Sequence, residues 1–472
     1  MSSSPKTIVF FHPDLGIGGA ERLVIDAAVG LKTLGHKVVI FTSHCDPKHC
    51  FDEARDGTLD VRVGGDWLIP ATFLGRFKIL CAILRQLHLL LTISLNGELR
   101  RLQPDAFFLD QLSSAIPILR WRFEDVRILF YCHFPDLLLV QGRQRLSKRI
   151  WRLAFDWLEG WGMKGSDRIV VNSQFTKKVV EGVWNGVGGK RGVAVVYPCV
   201  HIPDPVGEEA EESIDEPSRG SDDLWKGKKI LLSINRFERK KDIGLAIKAF
   251  ANLKANERQS VRLVLAGGYD VRVEENVSYH NELVSLAESL KLEATTARNI
   301  VSALKVPDGI EVLFLLSVPG QMKTMLLNAA TMLLYTPSNE HFGIVPLEAM
   351  LAGLPVLAAN SGGPLETVVE GETGWLRPVE EPTAWTKAMQ DALQGEAKEQ
   401  LQAMGKQGKL RVKAEFSNTK MAKRLDEEIE TMVNSPRSQV IELPDILLSL
   451  GFLGIIAAVL YAVAFRIYRS TR

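Results

Sequence analysis

Two glutamates eight residues apart, Glu340 and Glu348, lie in Thr336-Pro-Ser-Asn-Glu-His-Phe-Gly-Ile-Val-Pro-Leu-Glu-Ala-Met350, the part of the chain richest in groups able to do chemistry. Pro346 suits the first position of a helix, where a missing N–H costs nothing. That register puts Glu340 in the preceding loop, Glu348 in the first turn, and the free amides of Gly343, Ile344 and Val345 toward a ligand. A first-turn carboxylate can simply complement the helix dipole. Glu348 is equally suited to accept two hydrogen bonds from a ribose diol, and Glu340 to stabilise charge on a sugar. A second glycine-rich turn, Ser361-Gly-Gly-Pro-Leu-Glu366, follows downstream.

Two cations stand in Ser233-Ile-Asn-Arg-Phe-Glu-Arg-Lys-Lys-Asp242. Arg236 offers a planar fork and Lys241 a point charge, and in a strand-to-helix loop the two could flank a diphosphate. A solvated charge run is the plainer reading of Glu238–Asp242. Near the start, Gly16-Ile-Gly-Gly-Ala-Glu-Arg22 allows close backbone approach, and a helix after it would turn free N–H groups to an anion. The spacing is not that of a dinucleotide-binding fingerprint, because Glu21 stands where the third glycine belongs. That excludes a nicotinamide oxidoreductase. No Asp-x-Asp pair occurs in the chain, so no metal site is expected and cations must serve the diphosphate instead.

Short apolar strands alternating with helical stretches must carry these loops, the pattern of parallel sheets covered by helices. Strands are predicted at Ile8–Phe11, Lys37–Thr42, Ala106–Leu109, Arg127–Cys132, Arg168–Val171 and Val193–Tyr197. A second series follows at Lys229–Ser233, Arg262–Ala266, Ile310–Leu315, Thr331–Tyr335 and Val356–Ala359, with helices at Gly244–Leu253 and Asn281–Leu290. Residues 204–226 are too polar to bury and read as a linker. The predicted fold is therefore α/β, two Rossmann-like domains (1–203 and 227–417) with the active site in the inter-domain cleft between their strand C-termini. A C-terminal helix and connector, 418–445, leads to a transmembrane segment, 446–465. Those twenty residues carry no charge and span about 30 Å as a helix.

The rest of the sequence excludes more than it assigns. At 472 residues the chain is too long for one core. A net charge of +1 gives no footprint for nucleic acid. The five cysteines form no framework, and Cys45 and Cys50 beside His44 and His49 read as a polar loop rather than a zinc site. The N-terminus does not read as a signal peptide. Phe77–Leu95 reads either as a basic amphipathic helix in a membrane interface, with Lys78, Arg85, His88 and Thr92 on its polar face, or as a sheet-covering helix. Arg466, Arg469 and Arg472 favour a cytosolic tail by the positive-inside rule. A span emerging only as synthesis ends favours cytosolic domains instead, and a re-entrant hairpin would satisfy both. Asn276-Val-Ser278 offers a glycosylation reporter between these topologies.

Taken together, the three motifs resemble the GT-B retaining glycosyltransferases with an E-x7-E signature, over residues 6 to about 425. Within them, His12-Pro-Asp-Leu-Gly-Ile-Gly-Gly-Ala-Glu-Arg-Leu-Val24, Tyr131-Cys-His-Phe-Pro-Asp136 and the block from Ser338 to Val368 resemble the dolichol-pathway mannosyltransferases of asparagine-linked glycosylation. The resemblance implies α-1,3 and α-1,6 mannose transfer from GDP-mannose to a dolichol-diphosphate-linked Man1GlcNAc2 acceptor, with retention and no cofactor. It puts the protein at the endoplasmic reticulum membrane facing the cytosol, with other early-pathway glycosyltransferases as partners. It implies Glu340, His133, Arg236 and Lys241 as catalytic, and Arg236, Lys241, Glu340, Phe342, Gly343, Ile344, Val345 and Glu348 around the donor. Gly18 and Gly19 fall beside the acceptor. A transferase with another nucleotide sugar or acceptor, or an inactive tail-anchored scaffold, is the alternative.

Overall fold

A computed structural model describes residues 4–73, 77–139, 146–202, 227–299, 302, 303, 305–436, 451 and 454. The expected linker 204–226 and transmembrane segment 446–465 lie outside these, apart from residues 451 and 454. The described residues of Met1–Tyr197 and from Met421 onward form one compact unit, and those of Pro198–Lys420 a second.

The first unit holds a seven-stranded, wholly parallel sheet: β1 (Thr7–His12), β2 (Lys37–Thr42), β3 (Asp60–Val63), β4 (Ala106–Asp110), β5 (Arg127–Cys132), β6 (Arg168–Val171) and β7 (Val193–Val195). Their order is β3-β2-β1-β4-β5-β6-β7. Helices cover both faces, so the inner strands are apolar on both sides and read as unbroken runs such as Ile-Val-Phe-Phe in β1. The order reverses direction between β1 and β4. There neighbouring βα loops diverge and leave a crevice at the strand C-termini, where open α/β sheets bind ligands.

In the second unit the strands are β8 (Lys229–Ile234), β9 (Val261–Gly267), β10 (Ala294–Ala297), β11 (Val312–Leu316), β12 (Met332–Tyr335), β13 (Val356–Ala359) and β14 (Gly374–Arg377). They are ordered β10-β11-β9-β8-β12-β13-β14, again parallel, with the reversal between β8 and β12. A large core of Phe237, Ile247, Phe250, Phe314, Trp385 and their neighbours packs the helices onto this sheet. Burying such a side chain is worth about 1.5–3 kcal/mol.

Helix Asn418–Val433 returns to the first unit. His36 Nε2 lies 3.1 Å from Asp426 Oδ1, Arg168 Nε donates to Glu428 at 2.6 Å, and Lys6 pairs with Glu430. The Phe77–Leu95 stretch forms α2 (Lys78–Leu95), long and apolar enough to cross a membrane. Lys78 at its start is exposed, but Arg85, Gln86 and His88 are turned into the protein. Arg85 is 8% exposed and donates to the Ser43 carbonyl, and His88 Nδ1 faces the Gly65 carbonyl at 2.9 Å. Leu91 and Leu95 point outward. That arrangement is the reverse of a helix presenting Arg85 and His88 to headgroups.

Candidate active site

In the first unit the switch point gathers three titratable side chains. His12 ends β1, Asp110 ends β4, and His133 follows β5. Asp110 is fully buried and accepts from both sides: His12 Nδ1 lies 2.8 Å from Oδ1 and His133 Nε2 2.9 Å from Oδ2. Burial alone would raise the Asp110 carboxyl; the two imidazoles more than offset this and hold it below the usual range. Helix α1 (Gly19–Thr33) starts beside them, capped by Gly18 in extended backbone. A Cβ on Gly18 would fall 2.2 Å from Glu21 Oε2, because Glu21 folds back over the turn toward His12 Nε2, 3.9 Å away. His133, predicted from sequence, is thus bonded to a carboxylate rather than to backbone. The Gly18–Gly19 turn adjoins the same cluster through Glu21.

The second unit places its chemistry at the β8–β12 switch point. Lys241 and Glu340 form an ion pair, and the Lys241 carbonyl accepts from Thr336 Oγ1 at 2.7 Å. Burial pushes Glu340 up, but Lys241 outweighs it and keeps the carboxyl below its ordinary value. The buried Tyr335 hydroxyl also bonds Glu340, and burial followed by that negative charge pushes its pKa well up. Arg236 is 65% exposed and pairs with Glu238 of its own loop at 3.1 Å, not with either signature glutamate. Glu348 pairs with Lys323. The two acids of the signature therefore each hold a lysine.

The glycines of the second turn have a steric reason. Gly363 N donates to the Glu340 carbonyl at 2.7 Å, and a Cβ on Gly363 would fall 2.1 Å from the Phe342 oxygen. A Cβ on Gly362, whose φ is +68°, would fall 2.5 Å from the Glu340 oxygen. Turn and loop thus press backbone to backbone, fixing Glu340.

One expected register is corrected. The helix carrying Glu348 runs Ile344–Leu351 with Gly343 as its cap at φ 89°. Pro346 is therefore at the third position and Glu348 lies past the first turn. The amides of Ile344 and Val345 are still among the donors left free at a helix start. The cap position suits glycine for two reasons: its φ is in the left-handed region, and a Cβ there would sit 3.2 Å from the Tyr335 ring.

Sequence reading missed His12, Asp110, Lys323 and Tyr335. A usable signal existed for two of them. A lone polar residue ending a wholly apolar strand, as in Ile-Val-Phe-Phe-His12 and Ala-Phe-Phe-Leu-Asp110, marks a strand C-terminus facing a site. Lys323 carries no such mark. Asn276 also departs from its expected use: it is buried, donating to the Phe237 carbonyl and accepting from Asp270 N. It is no surface sequon in the folded protein. No disulfide joins the five cysteines, and among the described residues no group of three or more His, Cys, Asp or Glu side chains is placed to hold a metal ion.

Comparison with known proteins agrees with this layout. Residues 17–202 match the family described as Glycosyltransferase Family 4, and residues 215–411 match Glycosyl transferases group 1. Alpha-1,3/1,6-mannosyltransferase alg-2 of Neurospora crassa is 57% identical over 98% of both chains. The chain belongs to the alpha-1,3/1,6-mannosyltransferase ALG2 family. ALG2 of Saccharomyces cerevisiae is 44% identical, covering 91% of this chain and 85% of its own. In fold, this ALG2 family member is similar to sucrose-phosphate synthase of Thermosynechococcus elongatus (18% identity, TM-score 0.65, 90% and 99% of the two chains). Anabaena HepE, solved with UDP and glucose, is also similar (17%, TM-score 0.61, 90% and 100%). The fold is GT-B, with two parallel-sheet Rossmann-like domains.

Proposed function

We propose that the chain is a retaining mannosyltransferase that moves mannose from GDP-mannose to a dolichol-diphosphate-linked Man1GlcNAc2 acceptor, forming α-1,3 and α-1,6 linkages. The observation carrying this is the Lys241–Glu340 pair at the second switch point, in a chain whose relatives are named alpha-1,3/1,6-mannosyltransferases.

Chemically, an acceptor hydroxyl oxygen bonds to the anomeric carbon on the face from which the diphosphate departs. The carbon–oxygen bond to phosphate breaks with its electron pair on the leaving oxygen, which also takes the hydroxyl proton. Configuration is retained. Lys241 has three donors, one engaged by Glu340 and two left for the diphosphate, while exposed Arg236 turns its fork to the same charge. Preorganised cations of this kind are usually the largest stabilising element. Glu340, kept ionised by Lys241, faces the developing positive charge on the sugar ring. Glu348 accepts from the ribose diol, with Phe342, Gly343, Ile344 and Val345 walling the donor. His133 contacts the transferred sugar, and Gly18 and Gly19 border the acceptor. Residues 446–465 anchor the protein in the endoplasmic reticulum membrane with both units in the cytosol, residues 204–226 link the units, and other early-pathway glycosyltransferases are partners.

The test is incubation of the detergent-solubilised full chain with GDP-mannose, UDP-glucose or UDP-N-acetylglucosamine and a synthetic lipid-diphosphate trisaccharide. Two successive additions of 162 Da from GDP-mannose alone (about one hexose each) are expected, removable by linkage-specific mannosidases. Transfer from a UDP-sugar, or none from any, overturns the reading. Protease added to intact microsomes should digest both units; full protection overturns the topology.

A further inference from the structure

We infer that His12 is a positioning residue: it holds Asp110 as an oriented carboxylate, which fixes His133 with its proton on Nε2 and leaves Nδ1 as a hydrogen-bond acceptor for a sugar hydroxyl. The inference rests on His133 serving the proposed transfer site.

The argument runs from the atoms facing each ring nitrogen. His12 is buried, and its Nε2 lies 3.0 Å from the Asp14 carbonyl oxygen, which can only accept. Nε2 therefore carries a proton. Its Nδ1 faces Asp110 Oδ1 at 2.8 Å. Two arrangements fit: an imidazolium against a carboxylate, or a neutral ring against a carboxylic acid. Burial by itself would lower the His12 pKa, but the Asp110 charge and bond, with Glu21 and the Asp14 carbonyl behind them, raise it. Asp110 is correspondingly held down. The charged pair is thus the favoured state. The groups facing His12 are Asp110 from β4, Glu21 from α1 and the Asp14 carbonyl from the turn between β1 and α1; those facing Asp110 are the two histidines.

An ionised Asp110 accepts through Oδ2, so the His133 nitrogen 2.9 Å away must donate. A neutral His133 is thus the Nε2–H tautomer. Nδ1 has no hydrogen-bond partner among the described residues. A bare imidazole nitrogen accepts a hydroxyl proton in a hydrogen bond but has none to give. His133 therefore orients a sugar hydroxyl and is not the acid of the reaction. Glu21 extends the chain to the Gly18 turn, which accounts for a carboxylate where a third glycine would otherwise be expected.

Two measurements on the full-length protein test this. In a double-mutant cycle, His12→Gln should lower kcat tenfold or more with the KM for GDP-mannose within twofold. In the His133→Ala background the same change should cost less than twofold, since its effect passes through His133. Additive losses, or a His12→Gln enzyme within twofold of wild type, overturn the inference. The second measurement needs no turnover. In protein labelled with ¹⁵N-histidine, His133, assigned by the signal lost in His133→Ala, should carry its proton on Nε2 at pH 7. A proton on Nδ1, or on both nitrogens, overturns the inference. If no mannose is transferred yet the tautomer is as stated, the donor assignment fails, and the same spectrum of His12→Gln decides the positioning role: it stands if His133 no longer holds its proton solely on Nε2 and falls if the signal is unchanged.

Discussion

Replacing Gly363 by alanine tests whether the second glycine turn sets the position of Glu340. Gly363 has φ −59°, so alanine brings no backbone strain there. Its added Cβ would instead fall 2.1 Å from the Phe342 oxygen, 2.3 Å from its Cα and 2.4 Å from its carbonyl carbon. All three are backbone, so no side-chain rotation relieves them. Reaching ordinary contact at 3.4 Å requires the Glu340–Phe342 loop to retreat by about 1.3 Å, the difference between the two distances. A misplacement of about 1 Å costs roughly 100-fold in rate, about 2.7 kcal/mol. Overpacking should also destabilise the second unit by about 1–3 kcal/mol. For a unit of this size that lowers Tm by roughly 2–4 °C per kcal/mol. The assay is initial-rate mannose transfer in detergent beside a melting curve, with Gly395→Ala, where a Cβ meets nothing within 4 Å, as control. Activity within threefold of wild type at an unchanged Tm would refute the idea that this backbone contact positions Glu340.

Losing one cation, in Arg236→Ala or Lys241→Ala, should raise the transfer barrier by roughly 2–4 kcal/mol, read as kcat/KM; a change under threefold would remove that residue from the diphosphate. Lys323→Ala strips Glu348 of its ion-pair partner and should raise the KM for GDP-mannose with little change in Tm; an unchanged KM would detach Glu348 from the donor. The depressed folded pKa of Glu340 means its pairing stabilises the protein above the ordinary carboxylate value and is lost as pH falls through the folded value. Lys241→Met leaves only the smaller effects of His341 and Lys240 against burial, so the acid limb of both the pH–rate profile and the Tm–pH curve should move to higher pH, and an unmoved limb would refute the coupling. With cations rather than a metal on the diphosphate, EDTA should leave transfer unchanged; loss restored by Mg²⁺ would refute that arrangement.

Much of the scaffold was determined by sequence alone, for a physical reason. Interior strands of parallel sheets are buried on both faces, so they appear as apolar runs that need no partner to be recognised. Lys37–Thr42, Arg127–Cys132, Arg168–Val171 and Val356–Ala359 match their predicted limits. The strands that escaped were β3, β10 and β14, all at sheet edges. An edge strand has a neighbour on one side only, and Ala-Thr-Thr-Ala in β10 or Gly-Trp-Leu-Arg in β14 carries too little apolar pattern to declare itself. The spacing of Glu340 and Glu348 and the Arg236–Lys241 loop were equally legible, because chain proximity holds them together. Pairing was not. His12 meets Asp110 across 98 residues and Lys241 meets Glu340 across 99, distances over which local propensity says nothing. Only the order of strands in each sheet, reversing between β1 and β4 and between β8 and β12, brings those loop ends side by side. Once buried together, each acid can remain charged only because its partner is there, and that energetic choice belongs to the tertiary structure.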